Sequence, residues 1–109
     1  MDVSFSVKDR TLVVNLSGDI DHHSCEYIRQ KTDKEFIERR LADMELDMSG
    51  VTFMDSSAIG FIVGRIKLVK GFGGNVCVTG VKRNFYKMIK LSGIDKIISI
   101  NYEESEANG

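Results

Sequence analysis

The chain contains no proline, and only two of its 109 residues are cysteine. With no proline, no repeat and no low-complexity tract, no linker is visible. The sequence therefore reads as one domain, large enough to bury a core without disulfides or a metal. Cys25 and Cys77 form no Cys-x-x-Cys pair, so they read as two buried or half-buried thiols. A marked excess of either charge is missing as well. Fifteen basic residues stand against 16 acidic ones, which offers no electrostatic footprint to nucleic acid or an anionic membrane. No apolar run approaches bilayer-spanning length, and Met1-Asp2-Val3-Ser4 lacks the basic and apolar regions of a signal peptide. The remaining balance, 42% apolar and 28% charged residues, is that of a folded globular domain, not a disordered chain. The expectation is a cytoplasmic protein, most simply a monomer.

Residues 3–7 alternate Val, Ser, Phe, Ser, Val, the period of a half-exposed strand. Lys8-Asp9-Arg10 turns into a better-buried strand over 11–16, so the chain opens with a hairpin. Gly18-Asp19-Ile20-Asp21 breaks that strand. Asp21 or Ser24 then caps a helix to about residue 41, with Cys25, Ile28, Thr32, Phe36, Ile37 and Leu41 on its apolar face. Residues 44–48 read as a third strand. A helix after Asp55 carries Ile59, Ile62, Val63, Ile66 and Val69 on one stripe, and Gly71, Gly73 and Gly74 stop it. A short strand over 76–78 follows. Val81, Phe85, Met88 and Ile89 then face inward from a third helix that Gly93 ends. Residues 96–100 supply a last strand, and 101–109 form a polar tail outside a single domain spanning 1–100. Alternating strands and helices predict an α/β fold: a small mixed sheet, N-terminal hairpin then parallel strands, with helices packed against it.

The chemistry concentrates in Val51-Thr52-Phe53-Met54-Asp55-Ser56-Ser57-Ala58-Ile59-Gly60. An apolar strand ends, an acid and two hydroxyls follow, and an amphipathic helix begins. A hydroxyl there faces free backbone N–H groups and the positive end of a helix dipole, a place suited to holding a phosphoryl group. The plainer role for Asp55, Ser56 or Ser57 is to cap those N–H groups. Should the second and third strands be parallel, Gly18-Asp19-Ile20-Asp21-His22-His23 lies beside this loop at the carboxyl ends of the strands, where α/β sites form. Its acids are also simple helix caps, and its adjacent histidines make a poor metal site. Phe61 and Leu68 fall opposite the main stripe of their helix; they either pack under the third helix or the C-terminal tail, or form an apolar strip for a partner. Gly71-x-Gly73-Gly74 follows a helix instead of opening one, so it is no phosphate-binding fingerprint.

The run from Leu46 to Gly60, with Asp55-Ser56-Ser57 at a strand–helix junction, resembles the signature of bacterial anti-sigma-factor antagonists, the single-domain STAS proteins. The acidic turn at 18–23 is similar to that of the sporulation-type members, and the order of elements agrees over about residues 1–100. The resemblance implies that the unmodified protein binds an anti-sigma factor that is also a serine kinase, freeing a sigma factor. It implies that this kinase, using ATP and Mg²⁺, phosphorylates Ser56, and that a PP2C-type phosphatase restores it. The chain itself is then no enzyme and carries no cofactor. The expected partner surface comprises Asp19, Asp21, His22, Asp55, Ser56, Ser57, Phe61 and Leu68. Two features depart from the pattern: Ala58 stands where the family usually has glycine, and the tail is short where relatives often carry another amphipathic helix.

Two other readings remain. A hydrolase would use Ser56 as nucleophile, His22 or His23 as base and Asp19 as orienting acid, but the Gly-x-Ser-x-Gly elbow is missing. A ligand- or nucleotide-sensing STAS scaffold would use the same loop, which has no Lys or Arg to pair phosphates.

Overall fold

The five strands lie side by side in the order in which they occur along the chain. The structure, a computed structural model, describes residues 1–103. Strands β1 (Asp2–Lys8) and β2 (Thr11–Ile20) form an antiparallel hairpin. Helix α1 (His22–Glu38) crosses to β3 (Asp43–Met54), and α2 (Ser56–Gly71) crosses to β4 (Val76–Val81). A 3₁₀ turn (Arg83–Phe85), the short helix α3 (Tyr86–Ser92) and a second 3₁₀ turn (Ile94–Lys96) lead to β5 (Ser99–Tyr102). Strands β2 to β5 are mutually parallel. The expected mixed sheet is therefore present.

Sequential strand order with right-handed crossovers puts every helix on one face of the sheet. Period-two alternation then sorts the side chains. Leu12, Val14 and Leu16 of β2, Met44, Leu46 and Met48 of β3, and Val76 and Val78 of β4 are buried toward the helices. They meet Ile28 and Phe36 of α1, Ile62, Ile66 and Val69 of α2, and Ile89 and Ile94 in one continuous core.

Several boundaries differ from the expectations, each for a local reason. β2 runs through to Ile20 because Gly18, at φ 99°, and two register shifts against β3 absorb the irregular stretch as bulges. β3 is correspondingly longer than 44–48 and extends to Met54. α1 ends at Glu38, and Ile37 is exposed instead of lying on the apolar face. On α2 the buried stripe is rotated: Ala58, Phe61 and Arg65 join Ile62, Ile66 and Val69, whereas Ile59 and Val63 are half-buried. The cause is that α2 packs on α1 as well as on the sheet. The last strand starts at Ser99, so Asn101 and Tyr102, expected in the tail, belong to β5. The rest of that tail, 104–109, lies outside the described residues.

Candidate functional site

Parallel pairing brings β2 and β3 to the same edge, with Ile20 opposite Met54. The Asp55 N–H donates to the Ile20 carbonyl at 3.2 Å, tying the two strand ends together. Each strand then turns into a helix, so the N-termini of α1 and α2 stand side by side. The acidic turn and the Asp55-Ser56 loop are adjacent, as the parallel arrangement requires.

Asp21 is the N-cap of α1. The Ser24 N–H donates to Asp21 Oδ1 at 2.9 Å, and the Asp21 N–H donates to Ser24 Oγ at 3.0 Å, a reciprocal capping box. The Ser24 N–H, above all, holds the Asp21 carboxyl below its ordinary range. Asp55 caps α2 without a reciprocal bond, accepting from the Ser57 N–H at 2.8 Å. Asp19 accepts from Thr52 Oγ1 at 2.8 Å across the strand pair. All three acids are thus fixed by neighbours. Ser56, the first residue of α2, is exposed, and its hydroxyl makes no hydrogen bond among the described residues.

Behind this rim a groove of about 320 Å³ runs between α1 and α2. His22, Cys25, Glu26 and Arg29 line one side, and Ser57, Gly60, Phe61, Gly64 and Arg65 the other. Arg65 is only 5% exposed. Its Nε lies 2.8 Å from Asp33 Oδ1, its Nη2 donates to Asp33 Oδ2 at 3.2 Å, and its guanidinium sits 5.0 Å from the centroid of the Phe61 ring. Burial pushes the Arg65 guanidinium down while Asp33 pulls it back, and burial pushes the Asp33 carboxyl up against Arg65 and Arg29. Arg29 pairs with Glu26, whose carboxyl that hydrogen bond and a second from Gln30 lower to about 2. The cations of the groove are therefore engaged by acids of α1. Burial, then Asp55 and Asp21, raise the Cys25 thiol, which keeps it protonated at neutral pH.

The structure gathers Asp19, Asp21, His22, Asp55, Ser56 and Ser57 at one end of the molecule. It does not bear out an apolar strip of Phe61 and Leu68. Phe61 is 4% exposed beneath Arg65, and Leu68 is half-buried against the core, twelve residues beyond Ser56. The reason is the contact of α1 with the flank of α2 that the wheel left bare. Sequence reasoning missed Thr52, whose role depends on a bulge, and the Arg65–Asp33 pair. For the latter a signal existed: Arg65 falls four residues after Phe61, on the flank of the helix opposite the Ile59 and Val63 stripe.

No hydrogen bond joins Ser56 to a histidine among the described residues, and these include no cluster of three or more His, Cys, Asp or Glu side chains placed for a metal. None of their helices is long and apolar enough to cross a membrane.

Comparisons with known proteins agree with this architecture. An anti-sigma F factor antagonist of Paenibacillus polymyxa is 35% identical over 96 residues, covering 88% of this chain and 82% of that protein. The anti-sigma factor antagonist SpoIIAA superposes in its unphosphorylated form with a TM-score of 0.71 at 21% identity, over 98% of this chain and 93% of that one. The phosphorylated form of the Bacillus cell fate determinant SpoIIAA superposes with a TM-score of 0.73 at 23% identity, over 98% and 96%. The profile of the STAS domain matches residues 2–107. The chain belongs to the STAS domain family.

Proposed function

We propose that the protein is an anti-sigma factor antagonist switched by phosphorylation of Ser56. In this role the unmodified chain binds an anti-sigma factor that is also a serine kinase, and so frees the sigma factor. The kinase modifies Ser56, and a PP2C-type phosphatase reverses the modification. The single observation that carries the proposal is the free, exposed Ser56 hydroxyl at the start of α2, with Asp55 already serving as the cap. The names of the relatives support the regulatory role, and a fold shared with both the modified and unmodified forms of SpoIIAA supports a switch without refolding.

The physics of the switch follows from the neighbours. A phosphoryl group adds roughly −1.5 to −2 charges at pH 7. Within the chain, the N-termini of α1 and α2 both favour that charge. A docked partner, by contrast, meets a bulky anion among Asp19, Asp21 and Asp55, and must desolvate it. One like-charge contact near 4 Å is worth about 4 kcal/mol at an effective dielectric of 20, and each 1.4 kcal/mol is about tenfold in affinity. His22 and Ser57, beside Ser56 on the same rim, complete the proposed docking surface.

Mass spectrometry after incubation with the cognate kinase and ATP tests the assignment. Phosphate is expected on Ser56 in the wild type and in Ser57→Ala, and not in Ser56→Ala. Ser56→Asp should bind the kinase at least tenfold more weakly than Ser56→Ala. Label on Ser57, or equal binding by the two Ser56 variants, overturns the proposal.

A further inference from the structure

The strand at one margin of the sheet has a sequence that is symmetric about its centre. β1 reads Asp2-Val3-Ser4-Phe5-Ser6-Val7-Lys8, with serines one place and valines two places to either side of Phe5, and an acid and a base at its ends. β1 pairs with β2 on one side only, and among the described residues nothing pairs with its other side. Its seven residues hold an unbroken register against β2. β1 contains no proline, no bulge and no inward-pointing charge, and its two charges, Asp2 and Lys8, stand only at its ends. The opposite margin differs, since β5 has four residues and an interrupted register.

We infer that β1 is a self-association edge, which pairs antiparallel with β1 of a second copy about a two-fold axis through Phe5. In that register Phe5 meets its own counterpart, each valine meets a valine and each serine a serine. Asp2 of one copy meets Lys8 of the other at both ends. Directly opposed residues of an antiparallel pair share a face. Val3, Phe5 and Val7 lie opposite Leu16, Val14 and Leu12, so they form an apolar row on the helix-covered face. Val7, 44% exposed in the single copy, gains cover from the second copy's Val3. Asp2, Ser4, Ser6 and Lys8 are exposed and form the polar row on the other face. A slip of one residue would oppose apolar and polar side chains, and a slip of two would separate both Asp2–Lys8 pairs. The centred register alone satisfies every position. The second copy is a partner of matched chemistry because its edge carries the same row with the charges reversed in direction.

The product is a ten-stranded sheet with the helices of both copies on one side. The two Ser56 rims point in opposite directions along the strands, so both remain open. The association is therefore independent of the phosphorylation switch and does not rest on it.

Sedimentation of the untagged full chain from micromolar to millimolar concentration tests the inference. A concentration-dependent monomer–dimer equilibrium is expected. Asp2→Lys alone and Lys8→Asp alone each place like charges opposite one another twice per dimer, and each should raise the dissociation constant about tenfold. The double variant Asp2→Lys/Lys8→Asp reverses both ends together and should recover the wild-type constant. Circular dichroism confirms that each variant keeps its fold. A monomer at every concentration overturns the inference. So does a dimer indifferent to the single changes, or a double variant that fails to recover. Ser56→Asp should leave the dimer constant unchanged while weakening kinase binding, which separates a failure here from a failure of the proposed function.

Discussion

Ser56 and Ser57 are chemically identical neighbours that the fold uses differently. Asp55 takes the Ser57 N–H as its capping partner, and this leaves the Ser56 side chain at the outermost turn of α2 with nothing to do within the domain. Asp55→Ala should therefore cost about 1 kcal/mol of stability in chemical denaturation, while Asp55→Asn, an equally good cap, should cost little. Acid titration offers a second residue-scale test. Glu26 has an ordinary value of 4.5 and is lowered to about 2 in the folded chain by Arg29 and Gln30. Its stabilisation is present above pH 4.5 and is lost as the pH falls through about 2, because only the folded state resists protonation. Melting temperature should accordingly fall less steeply between pH 4.5 and 2 in Glu26→Gln than in the wild type.

At the scale of elements, the three glycines after α2 are not one helix stop but three separate solutions. Gly73 adopts φ 87° and its N–H closes the helix on the Lys70 carbonyl. Gly74 lets the chain pass the entry to β3, where a Cβ would stand 1.7 Å from the Ala42 carbonyl oxygen. Gly71 has open space around it. Gly74→Ala should destabilise by at least about 2 kcal/mol, whereas Gly71→Ala should gain about 0.5 kcal/mol by restricting the unfolded chain. Urea denaturation of the two variants reads the contrast. The sequence announced that a helix stops here, but which glycine is indispensable depends on the Ala42 carbonyl at the entry to β3, far earlier in the chain. The same distinction explains what else was legible. Period-two and period-3.6 patterns revealed the first three strands and the two long helices, since each buries one face in the core; the short last strand was placed only approximately, at 96–100 instead of Ser99–Tyr102. They misplaced Phe61, because α2 packs on two layers and its second buried flank is set by α1. They ended β2 too soon, because a glycine that breaks a strand and one that bulges it look alike until a neighbouring strand is in place. The paired acids at Asp19 and Asp21 were read correctly as neighbours of Ser56, since parallel strands must finish together.

For the whole molecule, sequential strand order leaves the sheet covered on one side and polar on the other. Asp43, Glu45 and Asp47 stand half-buried along that second face of β3, with Thr79 Oγ1 donating to Glu45 at 2.9 Å. The core is consequently single-sided, and the rim that carries Ser56 is built where two strand ends and two helix starts come together. Two strand ends joined by the Asp55 N–H and the Ile20 carbonyl, two helix starts and the Thr52–Asp19 bond are drawn from two separate stretches of chain. A modifying enzyme that reads this rim is reading tertiary structure, not a linear motif. A synthetic peptide covering 48–64 retains every atom of the acceptor segment yet loses the scaffold that presents it. It should accept phosphate from the kinase far more slowly than the intact domain, as timed incorporation of label would show. Under the proposed switch, unfolded chains then escape marking, and phosphate falls only on folded molecules, which were able to dock until it was added.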